Sequence, residues 1–284
     1  MSNFIAAVVQ LSSGTNMQAN IAAMESGVRE AAAQGATYIQ TPEMTGLVQQ
    51  NRKAFFDTVC DEANDPVAPA ASQLAKELGV TVHIGSTPIQ IAPQKAANRS
   101  YLFGPDGQLR ASYDKIHMFD VDLANGESWR ESAVYQPGTQ GVTVDVEGAL
   151  FGMAICYDCR FPELHTAYAR LGVEILTGPS CFTRQTGSAH WHALLRSRSI
   201  ENGAYMIAAA QGGDLEDGRE TFGHSIIIDP WGKIIAEVAG EEPGIALAEI
   251  DTLQVVQARE RIPNLVNNRA FSIVDTGSNA ENVA

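Results

Sequence analysis

Cys156 is the residue at which chemistry first suggests itself. It stands in Gly152-Met-Ala-Ile-Cys-Tyr-Asp-Cys-Arg-Phe-Pro-Glu163, just past an apolar strand signal and just before a helix opened by Pro162. Backbone amides and a helix N-terminus in such a place favour the thiolate, the nucleophilic form of cysteine. The position equally suits a buried cysteine packing as a small hydrophobe. Cys156-x-x-Cys159 could also be a redox or zinc pair. Zinc usually takes a second ligand pair, however, and the other thiols, Cys60 and Cys181, are isolated.

Two more residues stand where a charge needs a reason. Glu43, in Thr41-Pro-Glu-Met-Thr-Gly46, follows a short apolar strand. A carboxylate there has either a partner, a function, or a turn to cap. Lys115, in Tyr113-Asp-Lys-Ile-His-Met-Phe-Asp120, ends a hairpin among apolar neighbours, where a lysine can also snorkel along a strand edge. Cysteine, glutamate and lysine all fall at C-terminal ends of strands, the places where α/β sheets gather ligands.

The elements that must position them come in two similar sets. Residues 4–11 form a short apolar run suited to a buried strand. Asn16 caps a helix with the apolar face Met17, Ile21, Met24, Val28 and Ala32, stopped by Gly35. A strand at 38–40, a helix at 67–78 closed by Gly79, and a strand at 80–86 follow. A hairpin of 98–103 and 109–115 then turns on Gly104-Pro-Asp-Gly107. The second half repeats the order. Strand 150–155, helix 162–171, strand 173–176, helix 188–202 and strand 205–210 lead to a hairpin of 222–228 and 233–238 around Asp229-Pro-Trp-Gly232. Neither half can cover both faces of a sheet alone. The economical reading is one α/β domain over 1–270: two mixed sheets face to face, helices outside, related by a pseudo-twofold axis. An open doubly wound sheet has the same periodicity. Residues 271–284 read as an irregular C-terminal arm.

Charge narrows the function classes. With 19 Lys+Arg against 33 Asp+Glu the formal net charge is −14, which repels nucleic acid and an anionic membrane surface alike. The 45% hydrophobic and 18% charged residues are a globular composition. The longest run without charged or strongly polar side chains, 148–157, is half of what a bilayer span needs. The start lacks the basic region and cleavage site of a signal peptide, and four cysteines are too few for a secreted disulfide framework. The expectation is a cytoplasmic protein.

Taken together, these segments resemble the nitrilase superfamily of carbon–nitrogen hydrolases. The resemblance runs from about residue 4 to 271 and rests on three separated motifs: Thr41-Pro-Glu43, Tyr113-Asp-Lys-Ile-His-Met-Phe-Asp120 and Ile155-Cys-Tyr-Asp-x-Arg-Phe-Pro-Glu163. Arg130-Glu-Ser132, Pro179-Ser-Cys-Phe182, Ala189-His-Trp191, Arg196-Ser-Arg198 and Gly223-His-Ser225 support it. The family implies an α-β-β-α sandwich and assigns roles: Glu43 as base and acid, Lys115 as oxyanion partner, Cys156 as nucleophile. By the same resemblance the backbone N–H of Tyr157 is a second oxyanion donor, and Glu131 is an auxiliary carboxylate orienting Lys115. Phe119, Arg160, Phe182, Thr183 and His192 are expected against the substrate. No metal or organic cofactor is required.

The branch is suggested by smaller features. Tyr157-Asp158 after the nucleophile is the amidase-like form, where true nitrilases typically carry Trp-Glu. Carbamoylases often have two arginines after Cys-x-Asp; here Cys159 replaces the first and Arg160 remains. Gly223-His-Ser225 and Asp229-Pro-Trp-Gly232 resemble the branch of ω-amidases and of the amidase that repairs deaminated glutathione. The expectation is an amidase acting on a small ω-amide of a carboxylic acid, with a glutathione-derived 2-oxoamide as one candidate. Hydrolysis of an N-carbamoyl compound and a silent binding subunit are the alternatives. A homodimer or higher homo-oligomer is implied, sharing the helices at 162–171 and 188–202. His190-x-His192 resembles half a metal site, but no third ligand is near in sequence and a helix splays the two side chains. His117 and His224 read as hydrogen-bonders behind the site; His83 and His165 carry no signal.

Overall fold

The strand Asn3–Gln10 shows how the layers arise. Its side chains divide with period two. Ala6 and Val8 join a core with Phe151, Met153 and Ile175, whereas Ala7 and Val9 join Ile21, Met24, Val28 and Leu74 on the opposite side. A strand apolar at every position is therefore one buried on both faces. The computed structural model describes residues 2–123, 126 and 128–274.

Two six-stranded sheets share one strand order. In the first, Asn3–Gln10, Tyr38–Gln40 and Thr81–Ala92 run parallel, Lys95–Phe103 and Leu109–Asp114 continue antiparallel, and Gly244–Asp251 pairs antiparallel on the far edge of Asn3–Gln10. In the second, Ala149–Met153, Ile175–Thr177 and Tyr205–Ala208 are parallel. Ile226–Ile228 and Ile234–Glu237 extend them, and Val142–Val146 occupies the opposite edge. The sheets meet through aromatic rings, with Tyr38 and Phe151 at 4.8 Å and Phe4 and Phe151 at 6.1 Å between centroids. Helices Met17–Ala33 and Val67–Leu78 cover the first sheet through the apolar faces just named. Tyr168, Trp191 and Leu195, from helices Pro162–Arg170 and Arg184–Asn202, join the core of the second. The α-β-β-α sandwich is the arrangement expected, and the open doubly wound sheet is excluded.

Local signals held where a cap or stop was written. Asn16 Oδ1 accepts from the Ala19 amide at 3.1 Å, and Gly79 ends its helix at φ +67°, a conformation costly for other residues. Two boundaries needed correction. The second hairpin begins at Ile226, not at 222: Glu220–Phe222 pairs instead with Gly212–Asp214, because Gly223 (φ +68°) and His224 (φ +56°) break the strand between them. Helix Arg184–Asn202 starts four residues earlier than expected, where Thr183 accepts from the Thr186 amide. Residues 52–58 are helical with only Phe55 buried, so no periodicity announced them. Of the expected arm, residues 271–274 are irregular and exposed, and 275–284 lie outside the described residues. No helix among the described residues is long and apolar enough to cross a membrane.

Candidate active site

Glu43 follows the strand Tyr38–Gln40 at the Thr41-Pro42 break and is 2% exposed. Its burial is balanced on every side. Oε1 accepts from Lys115 Nζ at 2.8 Å and from Asn98 Nδ2 at 2.9 Å, and Oε2 accepts from the Cys181 amide at 2.8 Å. Lys115, just beyond Leu109–Asp114, is equally buried and also donates to both oxygens of Glu131, at 2.9 and 2.8 Å. Glu131 lies in the short turn Glu131–Ala133, where Oε2 also takes the Phe119 amide at 2.6 Å. Burial works against the charge on Lys115, but Glu131 and Glu43 outweigh it and hold its pKa well above the ordinary lysine value. Burial first, then Glu43, raises the pKa of Glu131 against the pull of Lys115.

Cys156 opens the tight turn Cys156–Arg160 at φ +49°, a conformation that costs a non-glycine residue about 1–3 kcal/mol. Asp158 holds that turn in place. Fully buried, it accepts the Ile155 amide at 2.9 Å and the Tyr113 hydroxyl at 2.7 Å on Oδ2, and the His117 amide and Nδ1 at 3.0 and 2.6 Å on Oδ1. Desolvation opposes the charge of Asp158, and those donors overcome it and keep its pKa below the usual aspartate value. His117 is thereby placed behind the nucleophile and stacks on Phe161 at 3.6 Å.

The Cys156 thiol is pushed well above its ordinary pKa by burial and then by Glu43, with Lys115 pulling the other way. A thiol whose pKa is pushed in that direction needs the neighbouring carboxylate as its base at the moment of attack. Cys159 is a core residue whose thiol burial pushes up to about 12. All four cysteines are free, and among the described residues no metal-ligand cluster includes one. The zinc reading of Cys156-x-x-Cys159 thus finds no further ligand among the described residues.

A cavity of about 450 Å³ opens over these groups. Phe119, Tyr157, Arg160, Phe182 and Thr183 line it with Glu43, Lys115, Glu131 and Cys156. The Arg160 guanidinium sits 5.8 Å from the Tyr157 ring centroid and 5.4 Å from that of Phe182, and among the described residues its polar partner is the His190 ring, not a carboxylate. His192 is a correction. It does not line the cavity, because its helix turns it toward the strand Ile234–Glu237, where Nε2 meets Glu237 at 2.9 Å. Its neighbour His190 faces Arg160 instead, so the two are splayed apart as expected.

Sequence reasoning missed two contributors. Asn98 Nδ2 bridges Glu43 and, at 3.3 Å, Glu131; it stands in the polar run Asn98-Arg-Ser100 of the strand Lys95–Phe103, so its residue type gave no signal. Arg219 lines the cavity over the Trp129 ring at 5.2 Å, 3.1 Å from Asp217. It sits in the hairpin that the strand prediction overlooked. His83 and His165 are buried structural residues whose pKa burial drives down to about 3 and about 4.

A thiol on a strained strand-to-helix turn, flanked by a buried carboxylate and ammonium on a two-sheet sandwich, is equipment for covalent acyl transfer. The chain belongs to the carbon–nitrogen hydrolase family, whose profile matches residues 5–260, and it is a hydrolase acting on carbon–nitrogen bonds. It is 38% identical to a deaminated glutathione amidase of Synechocystis over 277 residues, covering 95% of this chain and 100% of the relative. Identity to an omega-amidase of Homo sapiens is 35% over 263 residues, 93% of this chain and 94% of that one. The crystal structure of the C. elegans NitFhit protein superposes with a TM-score of 0.88 at 31% identity, over 95% of this chain; this chain spans 66% of that longer one.

Proposed function

We propose that the chain is a cofactor-independent amidase that converts a small carboxylic ω-amide to acid and ammonia through a thioester on Cys156. The observation that carries the reading is one cavity lined by Cys156, Glu43, Lys115 and Glu131, in which Lys115 bridges the two carboxylates. Glu43 takes the thiol proton as sulfur attacks the amide carbon. Lys115 and the Tyr157 N–H hold the developing oxyanion, and Glu131 keeps Lys115 aimed. Glu43 then protonates the departing ammonia, leaving a thioester. A water deprotonated by Glu43 releases the acid and restores the thiol.

The cavity favours an amide that carries a carboxylate of its own. Arg160 presents to the cavity a guanidinium framed by two rings and paired with no carboxylate among the described residues, a receptor for an anionic group of the substrate. Phe119 and Phe182 supply apolar walls for the carbons between. That pattern agrees with the named activities of the relatives, an omega-amidase and a deaminated glutathione amidase. An ammonia-release screen over glutamine-like, 2-oxoglutaramate-like, deaminated glutathione and N-carbamoyl compounds tests the reading. Turnover of the ω-amides supports it. Carbon dioxide released with ammonia from a carbamoyl substrate alone would transfer the chain to that reaction, and no turnover at all would leave a binding subunit.

The acting form is a homo-oligomer, at least a dimer, in the cytoplasm. Exposed Leu171, Ile200, Ile262 and Val266 lie on or beside the helices expected to be shared, and the four free thiols suit a reducing compartment. Light scattering that found only monomer would remove the first inference, and fractionation tests the second.

A further inference from the structure

Three residues outside the cavity form a second constellation that the amidase chemistry does not use. His192 comes from helix Arg184–Asn202, His224 from the break before Ile226–Ile228, and Glu237 from the end of the edge strand Ile234–Glu237. His192 Nε2 and His224 Nδ1 both reach Glu237 Oε1, at 2.9 and 2.8 Å, and the three atoms all lie within 4.8 Å of one another. From sequence, His190-x-His192 lacked a third ligand; the fold brings two, 32 and 45 positions away from His192.

We propose that His192, His224 and Glu237 form a binding site for a divalent transition metal ion, of the zinc or nickel type. Two imidazoles and a carboxylate are the borderline donor set that such ions take, whereas calcium and magnesium prefer oxygen alone. Three protein ligands leave at least one position to water. Side-chain exposures of 37%, 26% and 26% give an ion a path in and room for that water. The rings are held in place for ligation. Trp191 Nε1 donates to the His224 carbonyl at 2.8 Å, the His224 amide donates to Gly240 O at 3.0 Å, and Phe222 stacks on the His224 ring at 4.4 Å. His224 keeps φ +56° in this arrangement, so its ring is aimed by a fixed backbone.

Binding exchanges one set of contacts for another without oxidation. The nitrogens that face Glu237 Oε1 are the ones that ligate: on metal entry any hydrogen a ring shares with Oε1 leaves that nitrogen, for the ring's other nitrogen or for solvent, and the freed lone pair takes the ion. The ion then ties helix Arg184–Asn202 to the edge of the second sheet. The start of that helix, Thr183 and Thr186, together with Thr221 forms part of the cavity wall, so the staple stiffens the wall from behind.

The test is titration of zinc, and separately cobalt, into the full metal-free chain by calorimetry and visible absorption. One equivalent should bind, and the cobalt spectrum should lack thiolate charge-transfer bands. His192→Ala and Glu237→Gln should each weaken binding by at least about tenfold. His224→Asn, which tolerates the left-handed backbone, does the same while circular dichroism confirms a folded chain. His190→Ala and Cys156→Ala should leave the binding isotherm unchanged. Absence of saturable one-to-one binding, a thiolate band, or full binding by folded His192→Ala would overturn the proposal.

Discussion

The two halves of the molecule share a strand order but contribute opposite chemistry. The first half brings charge: Glu43 after its second strand, Asn98 within its fourth and Lys115 after its fifth. The second half brings the nucleophile, Cys156 after the strand Ala149–Met153, and the Cys181 amide after Ile175–Thr177. Facing the sheets through a pseudo-twofold axis lets both sets of strand ends reach one cavity. The difference also shows in how each half holds its groups. The first half uses ion pairs, Lys115 between Glu43 and Glu131, so its geometry depends on charge. The second uses a backbone turn at φ +49° pinned by Asp158, so its geometry depends on local conformation.

The sharpest way to break this division is at the nucleophile. Cys156→Ala should abolish ammonia release, whereas Cys159→Ala, altering a core thiol, should keep most of it. Equal loss in both would erase the distinction between a reacting and a packing cysteine. Next in size is Lys115→Ala, with an expected kcat loss of about two to three orders of magnitude at nearly unchanged KM, the scale of one oxyanion donor. A rise in KM at near-normal kcat would move Lys115 from transition-state stabilisation to substrate binding.

Asn98 is a positioning residue that acts through Glu43 and Glu131. Asn98→Ala removes a buried donor to the carboxylates, which should lower kcat about 10–100-fold. The loss should fall on kcat with KM nearly unchanged, because the carboxylates it orients act on the reacting atoms. A loss shared equally by KM, or matched by a fall in folded protein, would make the residue merely structural.

The smallest effect compares two buried histidines, His83 from the first half and His165 from the second. Both are held neutral, with folded pKa values of about 3 and about 4 against an unfolded value near 6.5. The unfolded chain therefore binds more protons below pH 6.5, and stability falls as pH drops. His83 contributes down to about pH 3 and His165 down to about pH 4, each at up to about 1.4 kcal/mol per pH unit. Urea unfolding at several pH values should show a shallower acid loss for His83→Gln. An unchanged slope would mean that His83 is protonated in the folded state.

Much of the site was legible because its residues violate their surroundings. A glutamate after an apolar strand, a lysine ending a hairpin and a cysteine at a strand-to-helix junction each stand out before any fold is known. Asn98 did not, since a single amide on a strand looks like an ordinary interior polar residue until its carboxylate neighbours arrive from 43 and 131. His192 was misplaced for a related reason. Helical period gives the helix and buries Trp191, but which sheet edge faces the next residue depends on the hairpin, whose start was itself misread at Phe222. The chain order of the main strands and helices and the helix stops followed from periodicity and capping, whereas the layering did not, since an open sheet has the same periodicity, and the edge strand Val142–Val146 went unread. The pairing of the last strand, Gly244–Asp251, onto the first is a long-range contact that no local pattern encodes.

The central claim is that carbon–nitrogen bond cleavage passes through a covalent acyl group on Cys156. Mass spectrometry of the full chain, acid-quenched during turnover of a slow ω-amide and then digested, tests it directly. The account predicts an acyl mass on the peptide containing Cys156, assigned to that sulfur by fragmentation, and none on Cys159 or Cys181. An acyl group located on another cysteine, or steady ammonia release by Cys156→Ala with no adduct anywhere, would contradict it.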